Sequence, residues 1–286
     1  MTTLPRPPQL LSSIAPLAHG HDAWICDVWG VMHNGVRAFT GAVDACRRFR
    51  ETGGTVLYLT NAPRPAHSVQ AQLDGFGVPR DAYDGILTSG DLTRRLISER
   101  VQLKLFHLGP ARDKPMFDGL ELRFAVAGEA DVIICSGLYN DDTETPADYT
   151  EMLEPLARRG VPMICANPDL AVERGSRIVY CAGSIAAEYE RLGGQVTYAG
   201  KPHLPIYQMA FERLEELRGE PVPRRRVLAI GDGLRTDIRG AANAEIDSAF
   251  IASAIHVPGE LDAVAVAELF SGSDLSPVAA LPALVW

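Results

Sequence analysis

The chain lacks any paired cysteine motif: Cys26, Cys46, Cys135, Cys165 and Cys181 stand singly, with no CxxC. Such cysteines read as buried, reduced thiols, three of them inside apolar runs, which suits a reducing cytoplasm. No run approaches the about 20 apolar residues of a membrane helix, so no membrane association is expected. The segment Met1–Pro8 has no apolar h-region, so no signal peptide is expected either. Positive charge is also scarce. There are 27 Lys and Arg against 36 Asp and Glu, a net charge of −9, which argues against a general nucleic-acid binder. It does not argue against small anions, since one lysine and one bound metal override the global sign locally. Neither GxxxxGK[ST] nor a strand-turn-helix GxGxxG occurs, so neither a P-loop nor a dinucleotide site is supported. Internal repeats and low-complexity linkers are absent too.

What is present is a globular composition, 47% hydrophobic and 22% charged over 286 residues, enough for one large domain or two modest ones. The organising stretch is Trp24-Ile25-Cys26-Asp27-Val28-Trp29-Gly30, which continues to Gly35. Ala23 to Cys26 reads as a short buried strand with a carboxylate, Asp27, at its end. Taken alone, Asp27 fits a turn cap as well as a site residue. The pattern then recurs. Thr55–Leu59 ends in Thr60-Asn61, Val196–Gly200 in Lys201, and Val227–Gly231 in Asp232. In open parallel sheets, ligands bind beyond the carboxyl ends of the strands. Two carboxylates, a hydroxyl and an ammonium so placed suit a divalent cation together with a phosphoryl group.

The rest alternates strands and helices. A helix is expected around Leu10–Leu17, then others over Gly41–Thr52, His67–Phe76 and Asp91–Glu99, with a strand at Gly85–Thr88. From about residue 101 the alternation restarts. Strands are expected at Gln102–His107, Leu122–Val126, Val132–Cys135, Val161–Ala166 and Ile178–Cys181. Helices are expected from Thr145 to Gly160 and over Ser184–Leu192. The core then resumes with a helix from Pro205 to about Leu217 and a turn into a helix over Asp232–Asn243. A last core strand at Ala249–Ala252 and a helix near Leu261–Phe270 follow. The expected fold is α/β, a parallel-sheet core (1–100 and 196–286) with a second α/β domain (101–195) inserted in it. Asn140–Glu151 imitates a calcium loop but has Thr145 where the sharp turn needs glycine, so it reads as a solvated loop. Arg224-Arg225-Arg226 reads as a solvated loop as well. His19 and His21 read as turn or surface residues.

Four segments, Asp27-Val28-Trp29-Gly30-Val31, Leu59-Thr60-Asn61, Gly200-Lys201-Pro202 and Gly231-Asp232-Gly233-Leu234-Arg235-Thr236-Asp237-Ile238, resemble in order the four motifs of the haloacid dehalogenase superfamily. The insert, with Cys165-Ala166-Asn167-Pro168-Asp169 and Gly183-Ser184, is similar to the cap of its class IIA, NagD-like branch, which includes nitrophenyl phosphatases. The resemblance implies a Rossmann-like parallel-sheet core with a mobile inserted α/β cap domain, a Mg²⁺-dependent phosphatase of small phosphorylated metabolites, and a homodimer. It implies Asp27 as nucleophile, Lys201 as charge-neutralising cation, and Thr60 with the backbone around Asn61 and Ala62 as phosphoryl binders. It also places Asn167 near the substrate, and Asp27, the Trp29 backbone carbonyl, Asp232 and, at one remove, Asp237 around the metal. One position departs. Trp29 stands where phosphatases of the superfamily usually carry a second Asp, the general acid–base. Three consequences compete: slow turnover of esters with good leaving groups, a substitute acid such as His33 or His203, or non-phosphatase, dehalogenase-like or regulatory chemistry. A second departure is Leu170, where vitamin B6 phosphatases have a histidine; an apolar pocket wall is expected there instead.

Overall fold

The structure is a computed structural model, and it describes residues 8–174, 177–252 and 261–286. The segment before Pro8, where no signal peptide is expected, lies outside the described residues. In chain order the elements are β1 (Gln9–Leu10), α1 (Ala15–Ala18), β2 (Ala23–Cys26), α2 (Thr40–Glu51), β3 (Thr55–Thr60), α3 (Ala66–Gly75), β4 (Gly85–Thr88) and α4 (Ser89–Ser98). Then come β5 (Lys104–Leu108), β6 (Arg123–Phe124), β7 (Val132–Cys135), α5 (Thr150–Arg158), β8 (Met163–Cys165), β9 (Ala171–Arg174), β10 (Arg177–Tyr180) and α6 (Ala182–Arg191). The chain ends with β11 (Val196–Tyr198), α7 (Leu204–Arg218), β12 (Val227–Gly231), α8 (Arg239–Asn243), β13 (Asp247–Ile251), α9 (Ala263–Leu269) and β14 (Ala279–Leu281). Two compact units result. One comprises Met1–Thr60, Gln72–Ile86 and Tyr207–Trp286, the other Asn61–Ala71 and Leu87–Ile206.

The first unit is built on a seven-stranded sheet of order β1-β14-β13-β12-β2-β3-β4. Every pairing from β1 across to β3 is parallel. β2, β3 and β12 are buried at every residue, which is why they read as unbroken apolar runs: helices cover both faces of a parallel sheet. On α2, Ala42, Ala45, Cys46 and Phe49 recur at helical spacing and are buried, and Phe49 stacks on Trp24 with ring centroids 3.9 Å apart. From β2 the chain proceeds outward through β3 to β4, then returns to the other side of β2 with β12. The strand order therefore reverses between β2 and β12.

The second unit has its own parallel sheet, of order β11-β8-β7-β5-β6, and an antiparallel hairpin, β9–β10. Leu153, Leu156 and Ala157 of α5 and Ile185, Ala186 and Tyr189 of α6 pack with Ile133, Met163 and Leu108 of the sheet. α4 opens with a reciprocal cap. The Thr88 hydroxyl accepts from Asp91 N–H at 2.9 Å, and the Asp91 carboxylate accepts from Thr88 N–H at 3.1 Å.

Several expectations are corrected. The N-terminal helix is only Ala15–Ala18, and Gln9–Leu10 instead pairs with β14 as an edge strand. Ala249–Ala252 does not close the core sheet, since β14 follows. The strand before Lys201, β11, pairs with β8 in the smaller sheet, so Lys201 does not end a strand of the core sheet. The Asn140–Glu144 loop is not simply solvated: Asp141 accepts from Arg112 at 2.5 Å and from Arg174 at 2.7 Å. The three-arginine turn is likewise anchored, Arg226 pairing with Asp22 and Arg224 lying over the Phe211 ring. His21 is the expected turn residue, and it is buried, its Nδ1 lying 2.7 Å from Leu17 O.

Candidate active site

In the first unit the parallel register brings three carboxylates together. Asp27 follows the last residue of β2 and Asp232 the last residue of β12, and these strands are neighbours, with Ile230 opposite Cys26. Asp27 N–H donates to Ile230 O at 2.8 Å, which carries the ladder one residue further. Thr60 ends β3, on the other side of β2. All three stand at carboxyl ends of strands around the reversal point, where an open α/β sheet leaves a crevice. Asp237 arrives from a wide turn of π-helical type over Leu234–Ile238. Its carboxylate accepts from Gly233 N–H at 3.0 Å and from the Thr236 hydroxyl at 3.3 Å. Ligand oxygens of Asp27, Asp232 and Asp237 all lie within 4.8 Å of one another. Asp27 and Asp237 are buried. Carboxylates this close repel unless a cation sits among them, and an all-oxygen donor set suits a hard divalent ion such as Mg²⁺.

The loop after Asp27 is compressed against this group. Gly30 has φ +89°, and a side-chain carbon there would run into the Asp232 carboxylate, so both its handedness and its bareness are required. Gly35, at φ +80°, lies under the indole of Trp29; an added Cβ would stand 2.7 Å from two ring carbons. The indole also meets the ring of His33 edge-on at 5.0 Å, and His33 leans on Phe76 at 4.8 Å. Gly35 N–H donates to His33 Nδ1 at 3.0 Å. The neutral ring therefore carries its proton on Nε2, and His33, 2% exposed, shapes the turn. His203, the other candidate substitute acid, stacks on Tyr198 at 5.0 Å. Burial holds it below the usual imidazole range, against an opposing pull from Glu190.

The remaining expected residues belong to the second unit, where Asn61 is the hub. Its Oδ1 accepts from Lys201 N–H at 2.8 Å and from the Ser89 hydroxyl at 3.2 Å. Its Nδ2 donates to Lys201 O at 3.2 Å and to Asp169 Oδ1 at 2.9 Å. Those four bonds fill the capacity of a primary amide, so the side chain fixes the Lys201 backbone. Lys201 is 3% exposed, and its bond to Pro202 is cis. Ala62 O accepts from Gly90 N–H at 3.0 Å, pinning the loop to the start of α4. Asn167 Oδ1 accepts from Asp169 N–H at 3.0 Å, a local turn after β8. Leu170, expected in an apolar wall, is 49% exposed.

Sequence reasoning missed a buried polar chain in this unit. Nε2 of His107, on β5, lies 2.9 Å from Oγ of Ser136, which directly follows β7. Ser136 also bonds the carboxyl of Asp113. Burial pushes His107 down to about 4, so it is neutral at pH 7. The available signal was a hydroxyl directly after the apolar run Val132–Cys135, the same pattern that marks Thr60.

The sequence profile of the haloacid dehalogenase-like hydrolases matches residues 24–123, and a HAD-hydrolase-like profile matches residues 198–274. The structure is similar to that of a haloacid dehalogenase-like family hydrolase from Brucella suis 1330. The two share 44% identity over 96% of this chain and 100% of that one, with a TM-score of 0.87. The chain belongs to the haloacid dehalogenase-like hydrolases. Within that family it is NagD-like. It is 25% identical to the ribonucleotide monophosphatase NagD of Escherichia coli K12 over 84% of this chain and 91% of that protein. A p-nitrophenyl phosphatase from Archaeoglobus fulgidus shares the fold at a TM-score of 0.72 and 19% identity, over 92% of this chain and 96% of that one. No helix among the described residues of this hydrolase is long and apolar enough to cross a membrane.

Proposed function

We propose that this hydrolase is a phosphatase of small phosphorylated metabolites, such as sugar, nucleotide or cofactor phosphates, working through an aspartyl-phosphate on Asp27. The observation that carries the reading is the convergence of Asp27, Asp232 and Asp237 at the reversal point of the core sheet. The phosphatase names of NagD and of the nitrophenyl phosphatase support it. A carboxylate oxygen of Asp27 attacks phosphorus, the bond to the ester oxygen breaks, and water then cleaves the acyl phosphate to phosphate and free Asp27. Thr60, the backbone of Asn61 and Ala62, and Lys201 hold the phosphoryl oxygens and neutralise their charge, with residues 101–195 acting as the cap. Asp27, Asp232 and the Trp29 carbonyl would hold Mg²⁺, with Asp237 in support. When bound, the ion supplies positive charge against the phosphoryl oxygens. The five buried thiols suit a reducing cytoplasm.

A second reading, a weak or non-phosphatase member of the family, draws on Trp29, whose indole is packed on Gly35 and His33 and offers no proton. A panel of phosphate esters assayed with and without Mg²⁺ separates the two. The phosphatase reading expects turnover that EDTA and Asp27→Asn each abolish. Turnover surviving Asp27→Asn, or none with any ester, sinks it.

A further inference from the structure

Four segments of the second unit meet at the Asn61 side-chain amide. They are the Asn61-Ala62 loop, the start of α4 at Ser89, the turn Asn167-Pro168-Asp169 after β8 and the Gly200-Lys201 loop after β11. Asn61 and Lys201 are each 3% exposed, and Ser89 is fully buried. The approach is close. A side-chain carbon on Gly200 would run into Ser89 Oγ, Asn61 Oδ1 and the Pro168 ring, so residue 200 has to be bare. The amide takes both the N–H and the C=O of Lys201. One side chain thus satisfies the two main-chain groups of that residue, as a neighbouring strand would, and holds its backbone in one orientation.

Two further groups bear on the amide, and they differ in kind. The Ser89 hydroxyl donates to Oδ1 at 3.2 Å, but a hydroxyl also accepts and suits either orientation of the amide. The Asp169 carboxylate accepts from Nδ2 at 2.9 Å, and an ionised carboxylate can only accept. With the amide reversed, Oδ1 would face that carboxylate and Lys201 O together, acceptors with no proton among them. Asp169 is itself held at both ends of its backbone. Its N–H donates to Asn167 Oδ1 at 3.0 Å, and its O accepts from Gly183 N–H, on α6, at 3.1 Å. A bond from an amide to a fixed carboxylate is charge-assisted and strong. We infer that Asp169 is a positioning residue for Lys201, acting through the Asn61 amide, so that the turn after β8 sets how firmly the ammonium is placed. The inference rests on the phosphatase reading for what the ammonium serves, but not for the clamp itself.

The reactivity of Lys201 tests this without any substrate. The full chain is treated with acetic anhydride, and the rate of acetylation at Lys201 is read by mass spectrometry. A buried amine reacts only when its surroundings open. Asp169→Ala should speed that rate about ten- to a hundred-fold, the scale of a hydrogen bond to a charged group. Asp169→Asn, whose amide oxygen still accepts, should retain part of the protection, and it carries the same comparison if the Ala variant does not fold. Asn61→Ala should speed the rate at least as much as Asp169→Ala. Adding Asp169→Ala to Asn61→Ala should then change nothing further, because the path to Lys201 is already cut. A role confined to holding the turn would instead act equally in both backgrounds. An unchanged rate in the folded Asp169 variants, or effects that add in the double variant, overturns the inference. Where those results come with ester hydrolysis, the phosphatase reading stands without it. The expected pattern in a protein that hydrolyses no ester upholds the clamp and removes the phosphatase reading.

Discussion

Asn61 and Trp29 each carry a side-chain role that their motifs do not announce. The backbone around Asn61 was expected to bind phosphoryl oxygen; its side-chain amide is saturated by Lys201, Ser89 and Asp169, so the side chain sets where another residue stands. Trp29 was legible as a missing acid, but not as the lid over Gly35 and His33, because that contact depends on a left-handed turn. If the lack of an acid at this position limits turnover, Trp29→Asp should raise kcat/KM for alkyl phosphates, whose leaving groups need a proton, and leave nitrophenyl phosphate little changed. General acid catalysis bounds the gain at about 10²–10⁴-fold. The gap left on Gly35 keeps the gain well short of that bound. The measurement is the ratio of the two substrates in variant and wild type, in which differences in active fraction cancel. A constant ratio in a folded variant would mean that the missing carboxylate does not limit this enzyme.

Elements buried on both faces were the most legible. Ala23–Cys26, Gly85–Thr88, Val132–Cys135 and Val227–Gly231 stand where their apolar runs end. Elements held by partners distant in sequence were not. β14 is three residues of small and apolar character that only β1 and β13 explain, and β9 exists through its hairpin with β10. β11 was legible as a strand, but its sheet was not, since an apolar run does not say which neighbour it finds. The tie between β5 and β7 is a further such feature and has a pH signature. His107 titrates near 4 in the folded chain and near 6.5 unfolded. Between those values the unfolded chain binds more protons, so stability rises with pH there. The contribution is whole above about pH 6.5 and is lost as pH falls toward 4. His107→Gln should therefore lose less stability than wild type between pH 7 and pH 5 in urea titrations. Equal losses would mean that His107 does not titrate out of the fold.

At the scale of the whole molecule, the expected residues divide between two compact units. Asp27, Thr60, Asp232 and Asp237 lie in one, and Asn61, Ala62, Asn167 and Lys201 in the other. The sequence order of the motifs conceals this division, because Thr60 and Asn61 are adjacent. A chain of two units need not unfold in a single step. Since the carboxylate group lies in the first unit, Mg²⁺ at a hundred times its dissociation constant should stabilise that unit by about 2.7 kcal/mol. In calorimetry the transition should rise by about 5–10 °C, and Asp232→Asn should abolish the rise. A rise that persists in that variant would place the ion elsewhere. The buried cysteines offer a way to watch the units separately. Cys26 and Cys46 sit in the first unit, and Cys135, Cys165 and Cys181 in the second, all five free and buried. A thiol reagent reaches each of them only when its surroundings open. The chain thus carries its own untagged reporters, and residue-resolved labelling rates, read by mass spectrometry, give the opening free energy of each unit within one sample.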